Sequence, residues 1–132
     1  MAKTGNTDSI CPCGSKRSYA ACCEPLHDGV PAASAEALMR SRYSAFARGR
    51  DDYILRSWHA STRPPSLAPD HGAQPNWIGL RVIRHDSVDS DHAIVEFVAR
   101  HKINGRAFAL HEISRFVREN GDWFYVDGEI IR

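Results

Sequence analysis

With 132 residues the chain can bury one hydrophobic core but hardly two, so a single globular domain with a small appendage is expected. Its 17 Lys and Arg against 16 Asp and Glu leave a formal charge of +1, which gives no electrostatic case for the clustered cations that bind nucleic acid. No apolar run approaches the roughly 20 residues that cross a bilayer, so no membrane contact is expected. The opening residues 1–10 lack the apolar centre of a signal peptide, and they are read as a flexible tail on a cytoplasmic protein.

All four cysteines fall in one window, Cys11-Pro12-Cys13, eight further residues, then Cys22-Cys23. Four thiolates concentrated in this way suit a tetrahedral soft metal, and zinc takes such ligands at about 2.3 Å from each sulfur. Cys11, Cys13, Cys22 and Cys23 are therefore the expected zinc ligands. Four protein ligands leave no open position for an activated water, so the metal is expected to be structural. Pro12 stiffens the link between the first pair, and Gly14 permits a positive φ that turns amides toward the sulfurs. Ser15 is placed to cap a short helical turn that carries Tyr19 and delivers Cys22 and Cys23, with Lys16 and Arg17 offsetting the charge. Disulfides suit the spacing poorly, because adjacent or near-adjacent cysteines make strained rings, and cytosolic thiols stay reduced.

A connector with Pro25, Gly29 and Pro31 follows, its prolines limiting the swing of the knuckle, so residues 11–30 form knuckle and connector and residues 31–132 the main domain. A helix is expected from Ser34, a natural N-cap with Glu36 in the first turn, to Gly49. Leu38, Met39, Arg42, Ala45 and Phe46 share one face of it, which sets a guanidinium inside an apolar stripe. Arg40, Ser41, Ser44 and Arg48 lie toward the opposite side and are expected in solvent. A second helix opens at Asp51-Asp52 and ends near His59, and the proline-rich segment 61–75 reads as a loop or lid.

The remainder reads as an antiparallel meander of four strands, about Trp77 to His85, Asp91 to Ile103, Arg106 to Glu119 and Asp122 to Ile130. Asn104-Gly105 and Asn120-Gly121 have the composition of two-residue type I′ turns, which would pair Ile103 with Arg106 and Glu119 with Asp122. Counting from those turns, one face collects Val95, Phe97, Ala99, Phe108, Leu110, Phe116, Trp123 and Tyr125. That face should carry the helices, because burial contributes about 25 cal/mol per Å². It also receives Glu112, Ser114 and Asp127, with Ser114 opposite Asp127, so Arg42 is the expected partner of these carboxylates and Tyr43, Trp58 and His59 are expected near the rim. The cluster reads as an ion-pair network, a ligand pocket or an acid/base site. No nucleophile elbow, glycine-rich phosphate loop or serine-histidine-acid order marks a catalytic residue, and none is assigned. The opposite face gathers Glu96, His111 and Arg115 among Ile94, Val98, Ile113 and Val117, a surface for cross-strand pairing or a homodimer. His27, His71, His85, His92 and His101 show no metal spacing and receive no role.

The cysteine pattern resembles the SEC-C motif, the small zinc module at the end of the SecA translocation ATPase. Leu38-Met39-Arg40-Ser41-Arg42-Tyr43-Ser44-Ala45-Phe46, Trp58-His59, Glu112-Ile113-Ser114-Arg115-Phe116 and Tyr125-Val126-Asp127-Gly128 resemble the YchJ-like bacterial proteins, which join this motif to an NTF2-like domain. The resemblance implies an α+β fold, an NTF2-like cone with N-terminal helices packed on a curved four-stranded antiparallel sheet, preceded by the zinc knuckle. It implies a docking role for the knuckle toward a protein or the ribosome, with an NTF2-like scaffold behind it. Some NTF2-like proteins use the cone for a small molecule or as small hydrolases or isomerases, which is the alternative expectation here.

Overall fold

The computed structural model describes residues 9–67 and 75–131; residues 1–8 of the expected tail and the centre of the proline-rich segment, residues 68–74 with His71, lie outside the described residues. An isolated antiparallel bridge between Ile10 and Ser18 closes the loop that bears Cys11 and Cys13. A single 3₁₀ turn, Tyr19–Ala21, and the short helix α1 (Glu24–His27) then flank Cys22 and Cys23.

Helix α2 (Ala35–Arg48) starts and stops as its sequence dictates. Ser34 Oγ accepts from the Ala37 amide at 3.1 Å, and Gly49 takes the left-handed conformation at φ 73° that closes the last turn. Helix α3 (Asp51–Arg56) ends earlier than its sequence suggests. The chain leaves it to run beside the sheet: the Tyr125 amide donates to Ser57 O at 2.9 Å and the His59 amide to Tyr125 O at 2.7 Å. No helix among the described residues is long and apolar enough to cross a membrane.

Strands β1 (Asn76–Asp89), β2 (His92–Ile103), β3 (Arg106–Glu119) and β4 (Asp122–Ile130) form one antiparallel sheet in the order β1-β2-β3-β4. Asn104 and Gly105 sit at φ 51° and 81°, Asn120 and Gly121 at 53° and 84°. These are type I′ turns, and they set the expected pairs Ile103 with Arg106 and Glu119 with Asp122. β1 shows three register shifts along β2, and irregularities of this kind bend a strand, here around the helices. Ala93, Val95, Phe97, Ala99 and Phe116 on the concave face form the core with Leu38, Met39, Tyr43, Tyr53 and Ile54 of the helices. Phe108, expected under the helices, is 42% exposed, because it lies near the far end of the β2–β3 hairpin and stacks on His101.

A bulge in β4 changes which residues face the helices. Phe116 pairs with Tyr125 but Arg115 pairs with Asp127, so Val126 is the extra residue. Beyond it Gly128, rather than Asp127, lies opposite Ser114, and Asp127 turns to the convex side to pair with Arg115 at 2.6 Å. The expected Ser114–Asp127 pair is corrected by this one-residue insertion, since side-chain direction alternates with a period of two. The Val126 carbonyl is held by Thr62 Oγ1 at 2.6 Å. A Cβ at position 128 would overlap the Glu112 carboxylate, so a larger residue opposite Ser114 would displace that side chain.

α2 is buried on two sides. Ser41 and Ser44, expected in solvent, are 0% exposed, because the knuckle and α1 pack on the face turned away from the sheet. His27, given no role from the sequence, joins the two layers. Its Nε2 donates to Ser41 O at 2.8 Å, which leaves Nδ1 to accept from Tyr19 Oη at 2.6 Å. Burial lowers its pKa and favours this neutral tautomer. Arg56 Nη2 caps the His27 carbonyl at 2.7 Å. These contacts tie the knuckle and α1 to α2 and α3. Replacing His27 by Phe should therefore cost about 1–3 kcal/mol, since it removes two buried hydrogen bonds that join the layers. Urea unfolding of His27→Phe should show it, and an unchanged midpoint would remove His27 from its bridging role.

Candidate functional site

The four cysteine sulfurs lie within 4.8 Å of one another. Cys13 and Cys22 Sγ are 3.6 Å apart, and Cys22 and Cys23 Sγ 3.9 Å. A tetrahedron with bonds of about 2.3 Å has edges of about 3.8 Å, so the spacing fits a four-sulfur metal site. The same spacing is far beyond a disulfide bond, and all four thiols are free. Gly14 adopts φ 86° at the turn between the ligand pairs, with Leu80 O of β1 close to where a side chain would begin.

The surroundings complete the fit. Ser44 Oγ of α2 lies 3.2 Å from Cys11 Sγ, and Ser15 Oγ 3.1 Å from Cys22 Sγ. Ser15 therefore bonds the Cys22 sulfur, and it is Ser18 that stands at the N-cap of the 3₁₀ turn. Arg40 Nη1 donates to the Cys13 carbonyl at 2.7 Å while its Nε holds Glu36 at 3.0 Å. Hydrogen bonds from Cys11 and Cys23 hold the Cys13 thiol far below its ordinary range, and hydrogen bonds with Cys11 and Cys13 push Cys23 far above it. A divalent ion compensates further thiolates and displaces their protons.

On the other side of α2, between the helix and the concave face of the sheet, lies a cavity of about 250 Å³. Met39, Arg42, Tyr43 and Phe46 of α2 roof it; Phe97, Ala99, Leu110 and Phe116 floor it; Trp58, Trp77 and Tyr125 close its sides. Glu112 and Ser114 are its polar floor, joined by a 2.6 Å bond from Ser114 Oγ to Glu112 Oε2. Arg42 is 7% exposed, with its guanidinium 4.4 Å from the Tyr125 ring centroid and 5.2 Å from that of Trp58. Its Nη1 donates to Ile54 O at 2.8 Å and Ser57 Oγ at 2.7 Å, capping the end of α3. Arg42 is thus held by neutral acceptors and ring faces, and no ion pair with Glu112 forms among the described residues. Burial lowers the Arg42 pKa to about 10, which leaves it charged at neutral pH. Burial, reinforced by the Glu112 carboxylate, raises that of Tyr125 to about 12.

Of the seven residues singled out for the pocket, Arg42, Tyr43, Trp58, Glu112 and Ser114 line this cavity. His59 and Asp127 do not. His59 follows the early end of α3 along the outer edge of β4, where it pairs with Glu119 at 2.9 Å and packs edge-on against Phe124. Asp127 is carried to the convex face by the bulge. There Glu96 bonds Arg84 at 2.9 Å and His111 at 2.7 Å, while Arg115 goes to Asp127. Trp77 and Phe46 are cavity walls, and Ser44, Arg40 and His27 support the knuckle, roles that their sequence positions do not announce. The aromatic run Phe97, Phe116, Tyr125 was the available signal for a hollow interior; nothing local marks Trp77.

Comparison with known proteins covers nearly the whole chain. The family model described as the YchJ middle NTF2-like domain matches residues 34–128, and the SEC-C motif model matches residues 9–25. A UPF0225 protein of Bordetella parapertussis is 48% identical over 133 residues, spanning 98% of this chain and 99% of the relative. Another, from Polaromonas naphthalenivorans, is 53% identical over 132 residues, spanning 90% and 96%. Among solved structures, a SEC-C motif-containing protein of Rhodopseudomonas palustris superposes with a TM-score of 0.80 at 34% identity, covering 94% of this chain and 100% of that one. The crystal structure of a SEC-C motif-containing protein from Psychrobacter arcticus gives 0.76 at 29% identity, with 96% and 85% covered.

Proposed function

The chain belongs to the YchJ family, the UPF0225 proteins that carry a SEC-C motif ahead of an NTF2-like domain, and from that premise we propose a zinc-braced protein that binds a small molecule in its cone. The observation that carries this reading is the cavity of about 250 Å³ with aromatic walls and a few convergent polar groups, the usual make-up of a ligand site. Its volume exceeds the roughly 150 Å³ of an apolar cavity that accepts benzene.

In this reading zinc sits on Cys11, Cys13, Cys22 and Cys23 and fixes the knuckle against α2. A reduced cytoplasmic setting keeps those thiols available. Native mass spectrometry should find one zinc per chain and its loss in Cys22→Ser. Retention should weaken as pH falls, because protons compete with the metal for thiolate. A metal-free chain that unfolds at the same temperature with or without added zinc would count against the brace.

The cone itself is tested with toluene. Titration should shift the resonances of residues around the cavity, and Ala99→Phe, which places a ring into the chamber from β2, should abolish those shifts while the chain stays folded. Shifts that persist in Ala99→Phe would locate binding elsewhere and sink the proposal.

A second reading concerns the outer side of the knuckle, where Ile10 is 61% exposed beside exposed Lys16 and Arg17. An exposed aliphatic flanked by cations suits docking to a protein or to the ribosome. Co-sedimentation with ribosomes that Ile10→Glu abolishes is the expected result; equal sedimentation of both proteins, or of neither, would withdraw a ribosomal role.

A further inference from the structure

We infer that the ligand of the cone is a small, net-neutral aromatic molecule carrying a hydrogen-bond acceptor and a donor side by side, of which a primary aryl carboxamide is the simplest. The inference rests on the cavity-binding reading above and adds the chemistry that the chamber selects.

The chamber holds one fixed cation, Arg42, and one carboxylate, Glu112, and the two are not paired with each other. Each keeps unused capacity. Both protein hydrogen bonds of the guanidinium leave from Nη1, to Ile54 and Ser57. Arg42 lines the cavity, and its other N–H groups have no hydrogen-bond partner among the described residues. Glu112 accepts from Ser114 through Oε2 and has the Tyr125 hydroxyl as a second neighbour, and a carboxylate has lone pairs for further donors. A ligand therefore meets a donor edge and an acceptor edge in one chamber.

Charge balance decides between candidates. With both groups ionised the chamber sums to zero. A benzoate-like anion would satisfy Arg42 but bring a second carboxylate beside Glu112, and a benzylammonium-like cation would do the reverse beside Arg42. Either leaves a net charge in a space walled by Phe97, Trp77 and Phe116, where uncompensated charge is poorly tolerated. A carboxamide carries no net charge. Its carbonyl oxygen accepts from Arg42 and its NH₂ donates to Glu112, while its ring occupies the aromatic part of the chamber. A purely apolar ring would fit the walls but leave both polar groups to compete for water, and sites built for hydrogen bonding discriminate against analogues that lack them.

The test is titration of the metal-loaded full chain with benzamide, benzoate, benzylamine and toluene at neutral pH, followed by nuclear magnetic resonance. Benzamide should bind at least tenfold more tightly than each of the other three. Glu112→Gln keeps the shape but leaves the chamber with a net positive charge, and the preference should then pass to benzoate. Native protein that favours benzoate or benzylamine, or a Glu112→Gln protein that keeps the native order, overturns the inference. Toluene binding as tightly as benzamide overturns it too, while leaving the cavity reading intact. Binding of none of the four overturns both.

Discussion

Helix α2 is packed from two directions, and the positions of the knuckle and the cavity both follow from that. Toward the sheet it presents Leu38, Met39, Arg42 and Tyr43. Away from the sheet it presents Ser41 and Ser44 to α1 and the cysteine loop. Serine suits the second contact because its small side chain lets the layers approach closely and its hydroxyl finds partners there. Ser41 Oγ bonds Leu38 O and Tyr53 Oη, both at 2.7 Å, and Ser44 Oγ meets Cys11 Sγ at 3.2 Å. An isolated helix of 14 residues is marginal in water, so α2 takes its stability from these two interfaces.

The two halves of the chain differ in how openly the sequence declares them. The cysteines and the two Asn-Gly turns carry their geometry locally: a metal site needs its ligands, and positive φ at consecutive residues needs Asn and Gly. Register then follows by counting, and it holds for every pair of β2 with β3. It fails at Val126, where one inserted residue sends Asp127 to the wrong face. Nothing in the composition around Val126 requires a bulge. Its carbonyl is held by Thr62, a residue 64 positions away, and a long-range contact of that kind is invisible to local pattern. The same holds for Ser41 and Ser44. Helical periodicity identifies one apolar stripe, and a second interface made of hydroxyls and a histidine reads as solvent-facing until the knuckle is seen to cover it. α3 stops early for a related reason, since the backbone of Ser57 and His59 is drawn into bonds with Tyr125.

Arg42 shows how a residue that breaks the apolar pattern earns its place in the interior. Its guanidinium is desolvated, which lowers its pKa, yet it caps the carbonyl end of α3 and lies over two aromatic rings. Ring faces and neutral acceptors compensate a buried cation without an anion. That arrangement leaves Glu112 bonded to Ser114, not to Arg42. Both groups line one cavity, and no ion pair joins them among the described residues.

The knuckle and the chamber are two faces of one helix, and this ties their geometries together. Ser44 meets Cys11, and its neighbour Tyr43 lines the cavity; Arg40 holds the Cys13 carbonyl one turn before that serine. A helix is rigid along its axis, with about 1.5 Å of rise per residue, so the contacts of the cysteine loop and the residues that roof the cavity belong to one stiff element. The four cysteines thus have a structural reason to be close to an interior that they never touch. A knuckle joined by a loose tether could vary its docking angle without consequence. This one is anchored by His27, Arg40 and Ser44 to the helix whose other side roofs the cone.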